Sequence, residues 1–233
     1  MSEEILINVT PVETRVALVE NGMLQEVYIE RSQRRGIVGN MYKGKVVRVL
    51  PGMEAAFVDI GLERAAFIHA SDIVPHGDET NKKSTDIGSL LHEGQALVVQ
   101  VTKDPIGTKG ARLTTQLSVP SRYLVHMPDN GHIGISQRIE DENERERLRE
   151  QVETCLGEKH GHASGFIVRT AAENVGEAEL TADIVYLKRL WQSLTEKIDS
   201  APVPSTLYED LPLYIRTLRD LVRPSTEKVR IDS

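Results

Sequence analysis

The sequence predicts an α+β protein, with a small closed β-barrel followed by a region that mixes strands with helices. Three observations predict it. Five short apolar-rich segments, punctuated by turn residues, fall between Met41 and Ser118. A highly charged segment over residues 142–156 places Leu148, Val152 and Cys155 on one side of a helix. Over residues 177–198, Leu180, Ile184, Leu187, Trp191, Leu194 and Ile198 recur at spacings of three or four, the clearest helical stripe in the chain.

At the start of the chain, Ile5, Ile7 and Val9 alternate with Leu6, Asn8 and Thr10, which is the period of a strand. Residues 14–20 and 24–29 flank Asn21-Gly22, a pair that tolerates positive φ and signals a hairpin. The basic, glycine-containing residues 30–40 read as a linker. The barrel strands are 42–50, 55–60, 65–69, 95–103 and 112–118, and the polar stretch 76–89 reads as an exposed loop. Five such strands suit a barrel of the OB type. Residues 123–127 and 132–136 read as strands around Pro128-Asp129-Asn130-Gly131, and 165–170 as an apolar strand that ends near Arg169. Pro202 and Pro204 mark a second linker. Residues 211–222 form a shorter helix with Pro212 in its first turn, and 228–231 a terminal strand.

Composition narrows the class. At 233 residues, 39% hydrophobic and 27% charged, the chain is expected to fold as one large or a few small globular domains. No apolar run approaches the roughly 18 residues of a membrane span. The opening MSEEILINV lacks a basic region and cleavage site, so no secretory signal is expected. The single cysteine, Cys155, excludes an internal disulfide or a multi-cysteine metal site within these residues and reads as a small buried apolar group. A cytoplasmic location is the simplest expectation. The net charge of -7 argues weakly against nucleic acid, but its distribution matters more. Residues 31–50 carry Arg31, Arg34, Arg35, Lys43, Lys45 and Arg48 without an acid, whereas 140–158 are dominated by acids. Screening confines such charges to about 8 Å, so a local basic face can still bind phosphate.

The candidate chemistry is recognition rather than hydrolysis. Phe57 and Phe67, two of only three phenylalanines, fall in neighbouring barrel strands. Alternation puts Val58 and Ile60 on one face and Phe57 with Asp59 on the other. The rings are therefore either core residues or platforms on which bases stack. Lys43, Lys45 and Lys109 would supply phosphate contacts, or be ordinary surface charges. Lys109-Gly110-Ala111-Arg112 is a basic turn without the GxxxxGK[ST] pattern of a P-loop. Arg169-Thr170 could hold a phosphate with a guanidinium fork and a hydroxyl, or Arg169 could pair with Glu173. Trp191 belongs to the core stripe, and His160 with His162 reads as solvent-facing. Asp59 and Asp104 read as structural or exposed. No HExxH, GxSxG or paired Cys/His cluster occurs, and no catalytic or metal-ligating residue is assigned.

Several stretches are very similar to one family. NMYKGKVVRVLPGMEAAFVDIGLERAAFIHASDI resembles the S1-type RNA-binding barrel of the ribonuclease E/G family, and VTKDPIGTKGARLTTQLSVPSRYLVHMP and GFIVRTAAENVGEAEL are also close to that family. The opening hairpin and the final KVRIDS match the flanks, while RRGIVGN and VPSRYLV point to the ribonuclease G branch. The resemblance implies that residues 36–118 are an S1-type OB domain and 119–205 an α/β 5′-sensor region. Both would be inserted in a partial RNase H-like domain made of residues 1–35 and 206–233. It implies RNA contact by Phe57 and Phe67 assisted by Lys109, and a grip on a 5′-monophosphate by Arg169 and Thr170. Val125 falls where the family touches the terminal nucleotide, Ser121 where some members have Gly, and Gln137 where some have Arg. The implied parent is a Mg²⁺-dependent endoribonuclease of single-stranded RNA, favouring 5′-monophosphorylated ends in ribosomal RNA maturation and messenger decay. Its cleavage site and a Zn²⁺-sharing, oligomer-forming segment would lie in later domains. The chain alone is thus expected to bind RNA without cutting it and to need no cofactor. Two other readings are a standalone RNA-binding module and an interaction protein whose barrel binds protein.

Overall fold

The computed structural model describes residues 2–74, 86–128, 130–157 and 164–232. The predicted 76–89 loop falls largely outside the described residues, as do Asp129 of the predicted turn and both His160 and His162. The chain divides into two compact units, one of residues 37–209 and one assembled from the segments on either side of it.

The split unit begins with β1 (Glu3–Val9), β2 (Glu13–Glu20) and β3 (Met23–Arg31), an antiparallel meander. Asn21 and Gly22 both adopt positive φ, 50° and 78°, which is what a two-residue hairpin turn requires.

The larger unit opens with β4 (Met41–Leu50), β5 (Ala55–Asp59) and β6 (Ala66–His69), then the single-turn helix α1 (Ile87–Leu90), β7 (Ala96–Lys103) and β8 (Arg112–Thr114). Strand order β4-β5-β6-β8-β7 closes where β7 pairs with β4, and β6 runs parallel to β8. This is the expected five-stranded OB-type barrel, with closed edges. Val46, Ala56, Val58, Ala66, Ile68, Val99, Val101 and Leu113 fill it. The barrel strands lie within a few residues of the predicted ones.

The larger unit continues with β9 (Val119–Pro120), β10 (Leu124–Met127), β11 (Ile133–Ile135), α2 (Glu142–Leu156), β12 (Gly165–Val168), α3 (Glu177–Ser200) and β13 (Ser205–Tyr208). Its second sheet, β11-β12-β10-β9, has β11 parallel to β12. Helix α2 begins where Asp141 accepts a hydrogen bond from the Asn143 amide, an N-cap. Leu148 and Val152 of α2 and Leu180, Ile184, Leu187 and Leu194 of α3 share one core with Leu124, Phe166 and Val168 of the sheet. Trp191 packs against that core, its ring edge-on to His126 at 5.9 Å, so its reading as a core residue holds. Cys155 is half-buried at the margin rather than enclosed, because it sits on the last turn of α2 facing Glu177 and Thr181.

Strand β13 departs from expectation. The proline-marked stretch was expected to be only a linker, yet Ser205–Tyr208 pairs with the first residues of β4. The larger unit ends at Glu209. Helix α4 (Leu213–Asp220) and β14 (Thr226–Asp232) then complete the split unit. Strand β14 lies parallel to β1, and Leu213 of α4 packs with Ile5, Ile7 and Val16.

One ion pair ties α2 to the loop after β12. Arg147 donates from Nε and Nη2 to the Glu144 carboxylate at 2.6 Å each, and Glu144 also accepts from the Asn174 amide at 2.9 Å. Arg147 reaches the Val175 carbonyl at 3.1 Å as well. The Arg147 guanidinium, aided by the Asn174 amide and opposed by burial, holds the Glu144 carboxyl below the usual carboxylate range. A carboxyl lowered in the folded state adds stability above its unfolded value, near 4.3, and that stability is lost as pH falls through the folded value. The pair is partly solvated, so its worth is modest. Thermal melts should show Glu144→Gln less stable than the parent chain by about 0.5–1 kcal/mol at pH 7. The difference should shrink as pH falls below about 4.

Candidate nucleic-acid interface

The two barrel phenylalanines resolve the choice between core and surface. In β5, Ala56 and Val58 are buried while Phe57, between them, is 37% exposed. In β6, Ala66 and Ile68 are buried and Phe67, between them, is half-exposed. Phe57 and Phe67 are register partners across the β5–β6 ladder, so both rings rise from the same outer face. They line a groove of about 500 Å³ with Leu50, Met53, Arg64, Thr108, Lys109 and Gly110. Lys109 is thus beside the rings, as the sequence suggested. Arg48 is a cation that the sequence reading did not single out. It is exposed and is the register partner of Phe57 on β4. The signal was present in the pairing register, which a sequence alone does not show.

Lys43 has a different place. Its ammonium donates to the Ile198 carbonyl at 2.7 Å and the Ala201 carbonyl at 3.0 Å. These carbonyls close the C-terminal end of α3, where the helix leaves acceptors without intrahelical partners. Lys43 therefore caps a helix and does not join the aromatic groove. Lys45 is exposed on β4 opposite Asp59 and Ala96, one strand from the rings and outside the groove lining. Asp59 accepts from the Gly61 amide at 2.9 Å and Asp104 from the Ile37 amide at 2.7 Å, both structural duties.

The second candidate cluster lies on the β11-β12-β10-β9 sheet. Phe166 and Val168 of β12 are buried, whereas Ile167 is 37% exposed and Arg169 half-buried, so Ile167 and Arg169 share the outer face. Val125 is the register partner of Ile167. Both line a groove of about 480 Å³ with Met127, Thr102, Thr114 and Gln116. Arg169 donates from Nη1 to the Ser121 and Arg122 carbonyls, which draws the guanidinium to the turn before β10. Thr170 opens the one-turn helix after β12. Ser121 donates its hydroxyl to Asp183 at 2.6 Å, and the same carboxylate accepts from the amides of Tyr123 and Leu124 at 3.0 Å each. Asp183 of α3 thereby shapes the turn that Arg169 grips. Sequence reasoning missed it, although an acid directly beside buried Ile184 was a usable signal. Arg169 thus contacts the buried Ser121, Thr170 follows it in sequence, and Val125 lies on the adjoining strand opposite Ile167.

Among the described residues, no group of three or more His, Cys, Asp and Glu side chains converges as a metal would require. No helix of the described residues is long and apolar enough to cross a membrane.

Comparison with known proteins adds the family. Residues 37–111, which hold four of the five barrel strands, match the S1 RNA binding domain, and residues 118–233 match the Ribonuclease E/G family. Ribonuclease G of Escherichia coli (strain K12) is 56% identical over 239 residues, covering 100% of this chain and 48% of that protein. Ribonuclease G of Haemophilus influenzae is 56% identical over 236 residues, covering 99% and 47%. Ribonuclease E of Haemophilus influenzae is 38% identical over 236 residues, covering 99% of this chain and 25% of that protein. The chain spans about half the length of the ribonuclease G relatives. With both domain matches and this identity along its whole length, the chain belongs to the ribonuclease E/G family.

Proposed function

We propose that this chain grips single-stranded RNA for an endoribonuclease and favours ends that carry a 5′-monophosphate. The observation that carries the reading is the in-register, outward-facing pair Phe57 and Phe67 in a groove shared with Lys109. Stacking on an aromatic ring is worth about 1–3 kcal/mol per base and requires unpaired bases with free faces. Lys109, with Arg48 on the neighbouring strand, would neutralise the adjoining phosphates. Arg169 and Thr170 would receive the terminal phosphate, since a guanidinium fork and a hydroxyl both donate to its oxygens. Val125 and Ile167 would meet the first nucleotide.

The similarity to ribonucleases G and E supports a ribonuclease activity for the whole protein. Its proposed setting is cytoplasmic RNA processing and decay, including ribosomal RNA maturation, by a homo-oligomer. Mg²⁺ for cleavage and Zn²⁺ for assembly belong to that larger reading. In this reading the part of the present residues is to bind and orient RNA. The alternative of an RNA-binding module that acts without a nuclease is separated by incubating the purified chain and its longer homologue with labelled RNA and Mg²⁺. Cleavage by the 233-residue chain itself would contradict the assignment of its residues to binding alone.

The test is fluorescence anisotropy with one oligonucleotide carrying either a 5′-monophosphate or a 5′-hydroxyl. The phosphorylated form should bind more tightly, by about tenfold if the end makes one charge-assisted contact of roughly 1.5 kcal/mol. Arg169→Ala should erase that preference while leaving the 5′-hydroxyl RNA unaffected. Phe57→Ala with Phe67→Ala should weaken both RNAs by at least about tenfold. Equal binding of the two ends by the parent chain would remove the sensor reading and leave the barrel reading standing.

A further inference from the structure

The turn that carries Lys109 is fastened at three points to the segment running into β6. Arg64 donates from Nη1 to the Gly107 carbonyl. Gly110 lies against Ala65 so closely that a Cβ would stand 2.0 Å from the Ala65 carbonyl oxygen. The Phe67 amide donates to the Ala111 carbonyl at 2.9 Å. Lys109 sits between the first two fastenings. The turn itself is narrow, with Ile106 and Lys109 exchanging backbone hydrogen bonds of 3.2 and 3.0 Å and Gly107 at φ 57°.

These fastenings are unequal. The Gly110 contact follows from backbone shape alone, and the Phe67–Ala111 bond belongs to the barrel ladder. Gly107 is held by an exposed side chain, and that side chain lines the same groove as Lys109. A lysine is a point charge on a flexible stem, so its contact with a phosphate depends on where its backbone is placed. We propose that Arg64 is a positioning residue for RNA binding. By holding the Gly107 carbonyl it keeps Lys109 over the groove beside Phe57 and Phe67, and it does not itself grip a phosphate. The proposal rests on the reading of this groove as the RNA seat.

A double-mutant cycle separates positioning from direct contact. Binding of a 5′-hydroxyl single-stranded oligonucleotide is measured on the 233-residue chain at several salt concentrations. The variants are Arg64→Gln, Arg64→Lys, Lys109→Gln and the double Arg64→Gln/Lys109→Gln, with Phe57→Ala as the reference for the groove. Lys109→Gln should weaken binding by roughly five- to tenfold and reduce the salt slope by about 0.7, the value for one phosphate contact on a single strand. Arg64→Gln should weaken binding by roughly threefold, and the double variant should bind no worse than Lys109→Gln alone. Arg64→Lys should recover most of the loss, because an ammonium can still donate to the Gly107 carbonyl. The proposal is overturned if the two losses multiply and Arg64→Gln lowers the salt slope as much as Lys109→Gln does. It is equally overturned if Arg64→Gln binds as the parent chain. If instead Phe57→Ala and Lys109→Gln both bind normally, the RNA seat lies elsewhere and the underlying reading fails first.

Discussion

The two-residue period of β5 and β6 governs the aromatic face of the barrel. Ala56, Val58, Ala66 and Ile68 point inward and are almost wholly buried, which obliges Phe57 and Phe67 to point outward. A slip of one residue in either strand would exchange the two sets, sealing the rings inside and exposing the small core residues. The barrel interior is already filled, mostly by aliphatic side chains, so it could not accept two more phenyl rings without expanding. Packing thus fixes the display of the aromatic pair, and closure of the barrel by β4 and β7 fixes the register on which it depends.

The cations are arranged by different means. Arg48 is placed opposite Phe57 by strand pairing, and Lys109 is brought to the groove by a turn pressed against the approach to β6. Lys43 shows the opposite case, in which a basic residue of the same strand is taken up by the end of a helix. A basic stretch in sequence is therefore not one surface in space. The β11-β12-β10-β9 sheet obeys a similar logic. Its buried face anchors α2 and α3, and the remaining face carries Val125, Ile167 and Arg169. Asp183 then links the helix layer to the turn that Arg169 holds, so the packing of α3 and the position of the guanidinium are coupled.

Much of this was legible in the sequence. The hairpin at Asn21-Gly22, the five barrel strands and both long helices carry strong local signals, namely positive-φ turn residues, short apolar runs and a regular stripe of large side chains. The outward face of Phe57 was legible as alternation, but that of Phe67 needed the observed ladder. Strand β13 was hidden because it is four residues long, comes after prolines and owes its existence to one partner edge on β4. The helix-capping role of Lys43 was hidden for a related reason. Residues 43 and 198 are distant in sequence, and no local pattern announces that a carbonyl will arrive beside an ammonium.

The small number of phenylalanines permits a direct test of the aromatic pair. The chain has three, and the third, Phe166, is fully buried in the core beneath α2 and α3. Selective ¹³C labelling of phenylalanine would give separate ring signals to be followed by NMR as single-stranded RNA is added. The Phe57 and Phe67 rings should shift together as bases stack on them, while the Phe166 ring stays in place. Saturable RNA binding that left the Phe57 and Phe67 signals unmoved would contradict the stacking platform.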